Sequence, residues 1–552
     1  MSASSKKKLR KEQETAALTE KQQQEQKEAK KLKAYTLTFV VVIALVLTIG
    51  LVTLISGWVT TSGITERMTV AMTVGDHDIT SAELSYFYVD LINAEYSNWY
   101  SNYGSYTSFY LSMMGLDLTQ PLNEQMYDAD SNQTWADYFA NRATEEAAAS
   151  YILCDLAKAA GYELTEDDKE GVETAMDNMQ YYADQNSVSL KDYLRSLYGN
   201  GSTVESFRNY LEVVSLATSY ELSIYNSRTY EQSVLDAHSE ANFVDFSSFS
   251  YLSFQVNYND FLALYCTADE SETEHVHTEE EKAAALSAAA EAANALAEGT
   301  AVDKLTFDKA IKALEAYKDS ETAASTETHS MLYTNISNEE IAAWVSEEGR
   351  QPGDKTVVAN TTSSTAEDGT VTNTPYAYTV VLFLERNDNT DKMVNVRHIL
   401  KSFTSDNSTE ATQEQKDAAK AFIEKLQDNW LEGGATEAAF AQLASLNSTD
   451  SGSAAAGGLY TNVYRGQMVT NFNDWCFDES RQAGDYGIVE SDFGYHLMYY
   501  VSQCDQNYRD YLIENTLRSD DHNAWYEENV KSVTHTVRDL SKLKLDLVLA
   551  RQ

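Results

Sequence analysis

Two histidines in this 552-residue chain stand where they can do chemistry. His398 lies in the run Val394-Asn395-Val396-Arg397-His398-Ile399-Leu400, and His496 closes Phe493-Gly494-Tyr495-His496, about a hundred residues later. Both runs read as strands. Imidazole both donates and accepts hydrogen bonds when neutral and changes charge near neutral pH. Between the two histidines come a glycine pair, Gly457-Gly458, then an aromatic–Met–Phe cluster in Arg465-Gly466-Gln467-Met468-Val469-x-x-Phe472, then a turn at Gly484-Asp485. The set outlines a small pocket for an apolar ring with two imidazoles at hand. Taken singly, each histidine reads as a satisfied core residue; the ordered set carries the functional reading.

The flanking elements are those needed to hold such a pocket. Strand alternation puts Val394, Val396, His398 and Leu400 on one face and Arg397 and Ile399 on the other. Thr412 and Gln415 form a capping box opening a helix whose Ala419, Phe422, Ile423, Leu426 and Trp430 make one apolar stripe. A second helix, around Thr436–Leu446, uses Phe440, Leu443 and Ala444 likewise. The polar loop Asn447-Ser448-Thr449-Asp450-Ser451-Gly452 then leads to the glycine pair.

An internal repeat precedes this segment. Met331-Leu-Tyr-Thr-Asn-Ile336 matches Gly458-Leu-Tyr-Thr-Asn-Val463, and the run after Trp344, through Gly353-Asp354, matches the run after Trp475, through Gly484-Asp485. The earlier copy lacks four residues where the later one reads Arg465-Gly-Gln-Met468. Each copy begins with a strand (Phe249–Gln255; Val394–Leu400), continues through helices and ends in a β-rich run (Tyr376–Glu385; Tyr495–Val501). That order predicts a compact α+β domain with a mixed or antiparallel sheet. In the first copy His398 corresponds to about Tyr251 and His496 to about Thr379. Two low-complexity insertions, Thr267–Lys282 and Ala359–Thr374, decorate it. The first carries His275 and His277 among glutamates and reads as an acidic loop, since no rigid third ligand accompanies them.

Upstream, residues 68–230 read as helical after an extended start at Met68–Val74, with Thr80 and Glu83 forming a capping box. Further helices are expected at Trp135–Ala160, Glu166–Gln185, Leu190–Tyr198 and Glu205–Ser227, and again over 505–545. The aromatic stretch Tyr96–Tyr110 is expected to pack within this helical region rather than form a substrate-binding surface.

Residues 1–33 carry ten Lys/Arg and five Asp/Glu, a local +5, which leaves about −49 of the formal −44 on the remainder. Such an acidic chain argues against nucleic acid as a partner. Ala34 to Thr65 contains no charged residue, and Leu37–Val59 is apolar almost throughout, long enough to span about 30 Å of hydrocarbon. With Lys27, Lys30, Lys31 and Lys33 before it, the segment reads as one uncleaved anchor with a cytoplasmic N-terminus. Cys154, Cys266, Cys476 and Cys504 show no metal spacing and no disulfide framework; Cys476 reads as a small core residue.

The order His-Ile-Leu, Ser-x-Asp, Gly-Gly, Arg-Gly-Gln-Met-Val-x-x-Phe, Gly-Asp and Phe-Gly-Tyr-His, over residues 393–503, resembles the parvulin family of peptidyl-prolyl isomerases. The wider layout resembles exported foldases of the PrsA and SurA type. The resemblance implies that His398 and His496 pair in the floor of the site, that Asp450 stands beside the twisting peptide bond, and that Ser491 bonds within the histidine network. It implies that Met468 and Phe472 line the proline pocket, with Tyr460 where the family usually has a leucine wall. The basic cluster of phospho-specific relatives is missing: Lys401 stands alone.

The expected architecture is therefore α+β and multidomain. It comprises a basic tail (1–33), a transmembrane helix (34–60), a helical chaperone-like region (68–245), a degenerate parvulin-like domain (246–388), a parvulin domain (389–504) and a C-terminal helical segment (505–552) completing the helical region. The expected function is a membrane-anchored extracytoplasmic peptidyl-prolyl isomerase and chaperone acting on newly exported, unfolded polypeptides with X-Pro bonds, needing no cofactor or metal. The alternative is a holdase with a vestigial isomerase site. A surface adhesin would show two copies of equal quality, and only the second copy keeps both histidines.

Overall fold

The computed structural model describes residues 4–8, 10, 61–265, 277–365, 371–404 and 411–548. The expected anchor at 34–60 lies outside these residues, as do Cys266 and His275. Among the described residues no helix is long and apolar enough to cross a membrane. The chain forms two compact units, one from residues up to 228 together with those from 520 onward, the other from 229 to 519.

In the first unit, strands β1 (Val70–Val74) and β2 (His77–Thr80) pair around the Gly75 turn and lead into helix Ser81–Tyr103. Residues 64–68 are helical, so the extended start is shorter than the sequence pattern suggests. Thr80 and Glu83 form the expected reciprocal cap, with Thr80 N donating to Glu83 at 2.8 Å. Strands β3 (Met126–Asp128) and β4 (Gln133–Thr134) make a short ribbon before helix Trp135–Ala160. That helix buries Ala136, Ala140, Ala143 and Ala147 along one side, small residues that let neighbouring helices approach closely. Leu84, Tyr86, Phe139 and Phe207 fill the core.

Two expectations about the helical parts of the chain fail. The segment 505–545 is not one helix: helix Tyr508–Tyr526 passes through a π-helical turn at Glu527–Lys531, and His535–Val537 then adds to β1 as a strand. The alternating Val533, Thr534, Thr536 and Val537 favour extended backbone where a sheet edge offers partners. The aromatic stretch packs inward only in part, through Trp99 against Phe139. Helix Ser81–Tyr103 is buried through Ile92, but Tyr100, Tyr106, Phe109 and Met113 are 57, 69, 63 and 71 % exposed.

The second unit holds two four-stranded antiparallel sheets. One comprises β5 (Ser248–Asn257), β6 (Thr326–Leu332), β7 (Lys355–Thr365) and β8 (Val371–Asn387) in the order β6-β5-β8-β7. The other comprises β9 (Lys392–Ser402), β10 (Leu459–Val463), β11 (Tyr486–Ser491) and β12 (Gly494–Asn507) in the order β10-β9-β12-β11. The connectivity is the same in both. Arg350 stacks on Trp344 at 4.0 Å and Arg481 on Trp475 at 4.2 Å; Phe383 exchanges hydrogen bonds with Gly353 and Asp354 as Tyr500 does with Gly484 and Asp485. The insertion expected at Ala359–Thr374 is largely regular structure, because its Thr-rich arms pair from Thr361↔Pro375 to Thr365↔Val371. Residues 229–245 and 505–519 belong to this unit rather than to the helical region, since Leu235, Phe246 and Ile513 form an apolar cluster of their own.

Candidate active site

The second sheet divides its side chains by strand alternation. Ile399 and Leu497 face helices Gln413–Glu432 and Glu437–Asn447, meeting Ile423, Trp430 and Phe440. Val396, His398, His496, Met498 and Tyr500 lie on the other face. His398 pairs in register with Met498 and His496 with Leu400, so the two histidines are diagonal neighbours on the central strands. Their Nδ1 atoms are 3.1 Å apart, and both residues are buried.

Asp450 is brought to this pair by the loop that sutures itself to β9. Thr449 N donates to Leu400 O, Leu400 N to Ser448 Oγ, and Asp450 N to the same hydroxyl. The glycine pair has a clear cause at Gly458. It sits at φ +72°, and a Cβ there would lie 2.2 Å from the carbonyl oxygen of His398, whose N–H donates to Gly458 O. The loop Tyr464–Val469, which the first sheet lacks, carries Met468 and is tied down where Gly466 N donates to the buried Asn473 at 2.7 Å.

One assignment of protons satisfies the whole cluster. Ser491 Oγ, accepting from Phe493 N, donates to His496 Nε2 at 2.7 Å; His496 Nδ1 donates to His398 Nδ1; His398 Nε2 donates to Asp450 Oδ2 at 2.9 Å. Ser453 and Tyr460 hydroxyls also donate to Asp450 Oδ2, at 2.5 and 2.9 Å. The result is a carboxylate with three side-chain donors and two imidazoles, each held by the groups on either side of it. The His398 hydrogen bond, reinforced by those of Ser453 and Tyr460, holds the Asp450 carboxyl well below the usual range. Burial, with the neighbouring His398, pushes His496 down to about 3, and burial pushes the Cys476 thiol up to about 12. Burial and the bond to Asp450 push the Tyr460 hydroxyl up.

A cavity of about 430 Å³ opens in front of this circuit. Phe472 stands edge-on to both imidazoles, 5.4 Å between centroids in each case, while Tyr460 and Met468 pack beside it. Of the seven residues singled out in the sequence, His398, Asp450, His496, Tyr460, Met468 and Phe472 line the cavity; Ser491 stands behind His496. Ser453, 1 % exposed and also 3.1 Å from His398 Nε2, escaped the sequence reading. Its signal was the Asp450-x-x-Ser453 spacing, which closes a turn through Ala454 N to Asp450 O. Phe493 and Leu400 also line the cavity.

The first sheet holds none of this chemistry. Its Phe383 is the counterpart of Tyr500 by the shared Gly-Asp bonds, and Phe383 pairs with Tyr251 as Tyr500 does with Val396. Tyr251 therefore corresponds to Val396, and Ser253, two residues on, takes the place of His398. The sequence match missed this shift because β5 carries an irregularity between Ser250 and Tyr251. Thr379 does occupy the place of His496, and Asn360 that of Ser491; they keep the cross-strand bond, Asn360 Nδ2 to Thr379 Oγ1 at 3.0 Å. Among the described residues, no group of His, Cys, Asp and Glu is arranged to hold a metal ion.

Residues 378–503 match the family model of the PPIC-type PPIase domain. The chain thus carries a parvulin-type peptidyl-prolyl isomerase domain, built on the second sheet. Among solved structures it is similar to the peptidylprolyl isomerase PrsA of Bacillus anthracis, with 22 % identity over 26 % of this chain and 59 % of that one (TM-score 0.17). For PrsA of Bacillus cereus the figures are 24 % identity, 29 % and 57 % (TM-score 0.17). A third similarity, at 12 % identity over 67 % of this chain and 84 % of the other (TM-score 0.14), is to the SurA-like chaperones PEB4 and Cj1289 of Campylobacter jejuni. The chain spans less than two thirds of the length of the two PrsA structures. No curated protein matches it.

Proposed function

We propose that the chain is a membrane-anchored extracytoplasmic foldase: its second module catalyses rotation about X-Pro bonds, and its helical unit holds unfolded exported clients. The observation that carries the catalytic half is the closed circuit Ser491–His496–His398–Asp450 facing an apolar-walled cavity. Rotation about an X-Pro bond takes tens to hundreds of seconds unaided because the amide must lose its resonance. No covalent intermediate is needed. The prolyl ring seats against Met468 and Phe472, which exclude water. The Asp450 carboxylate, placed beside the substrate carbonyl, disfavours the planar amide, whose oxygen carries most charge, more than it disfavours the twisted one. The histidines act by holding that carboxylate and the cavity floor in place.

The holding half is supported by the exposed Tyr100, Tyr106, Phe109 and Met113, an apolar patch of the kind that marks an interaction surface. The anchor rests on the uncharged stretch ending at Thr65, and the first sheet serves as an inactive spacer. Catalysis is tested by measuring isomerisation of a proline-containing tetrapeptide by the full chain, with Asp450→Ala and His496→Ala as controls. A rate at background, unchanged by either substitution, would sink the enzyme reading. Holding is tested by suppression of aggregation of an unfolded protein that contains no proline.

A further inference from the structure

The charges around the cavity point to a substrate preference that the motif alone does not contain. Asp450 is its one acidic lining residue, and no lysine or arginine lines it among the described residues. Four cations of this module are engaged elsewhere. Arg397 binds Glu437 and the carbonyls of Ala456 and Gly457; Lys401 lies over Phe422 at 5.0 Å and Lys416 over Phe403 at 5.3 Å; Arg465 pairs with Asp391. The three side-chain donors to Asp450 all converge on Oδ2, leaving Oδ1 with a single contact, the N–H of Gly452 at 3.3 Å. Asp492 adds a second exposed acid in the turn beside Phe493, which lines the cavity. The cavity, at about 430 Å³, also has room beyond a prolyl ring for part of a neighbouring residue, along Leu400, Ser402 and Thr449.

Resting on the isomerase reading above, we propose that the site selects X-Pro segments in which the residue next to proline is basic, and discriminates against acidic ones. A unit charge about 6 Å from the Asp450 carboxylate in a solvated cleft shifts binding about threefold, favourably for lysine and unfavourably for glutamate, so the two differ by about tenfold. The effect is electrostatic and therefore screened by salt, with a Debye length of about 3 Å at 1 M.

The test is kcat/KM of the full chain for a tetrapeptide series differing only before proline: lysine, alanine, glutamate. At low ionic strength the order Lys > Ala > Glu is expected, spanning about tenfold and contracting below about threefold in 1 M salt. Ser451→Lys, an exposed substitution on the cavity lining, is expected to flatten or invert the order. Glutamate equal to or better than lysine at low salt overturns the preference while leaving the isomerase standing. So does a Lys/Glu ratio that neither salt nor Ser451→Lys alters. Background rates for all three peptides overturn the isomerase reading, and the preference falls with it.

Discussion

Acid should weaken the second module through one identifiable proton. Burial and His398 hold His496 neutral in the fold down to about pH 3, whereas in the unfolded chain an imidazole takes its proton near 6.5. Between those values the unfolded state binds more protons, so stability falls as pH falls; the contribution is complete above about pH 6.5 and is lost progressively toward pH 3. From pH 7 to pH 5 the loss amounts to about 2 kcal/mol. The comparison is His496→Gln, whose amide does not titrate; acids and histidines away from the site cancel in the difference. Hydrogen exchange of the buried strand amides of Ile399 and Leu497, corrected for intrinsic rates, reads the module's stability within the whole chain. The parent should lose about 2 kcal/mol more than the variant over this range. Losses that agree within about 0.5 kcal/mol would refute the neutral, hydrogen-bonded His496 derived above.

Three further outcomes follow from the same geometry. Tyr460→Phe keeps the ring beside His398 but removes one of the three side-chain donors to Asp450; at a half-exposed site this should cost about 1 kcal/mol, read as a kcat/KM reduction of roughly fivefold with little change in stability. Gly458→Ala should destabilise the module by more than about 2 kcal/mol in urea unfolding and abolish isomerisation, because its Cβ would meet the His398 carbonyl at 2.2 Å at a positive φ. Replacing both Tyr106 and Phe109 by serine, each more than 60 % exposed, should weaken suppression of aggregation while leaving tetrapeptide isomerisation within about 20 % of the parent.

The chain's local order was readable because local order is written in neighbouring residues. The Thr80–Glu83 and Thr412–Gln415 caps, the helices Glu166–Gln185 and Leu190–Tyr198, and the face of β9 that carries His398 all depend on residues within one turn or one pleat of each other. The duplicated Trp-to-Asp run was readable as well, since it repeats actual residues. Where the reading failed, the missing information was distant. The segment after Lys531 became a strand because β1 offered it an edge, and which of the rings beyond Ile92 are covered depends on distant neighbours: Trp99 meets Phe139, whereas Tyr100, Tyr106 and Phe109 stay exposed.

The same division runs through the site. By itself the sequence determined which side chains could take part, since the motif order names His398, Asp450, Tyr460, Met468, Phe472, Ser491 and His496, and strand period assigns the face of His398. Only the tertiary structure decided how they meet. The register between β9 and β12 sets the two imidazoles diagonally at 3.1 Å, the loop hung on Leu400 turns Asp450 toward His398, and the Tyr460 hydroxyl joins that carboxylate instead of merely walling the pocket. The reason is physical: side-chain types and periodicity are local properties, whereas hydrogen-bond partners and burial are settled by the register and packing of segments a hundred residues apart.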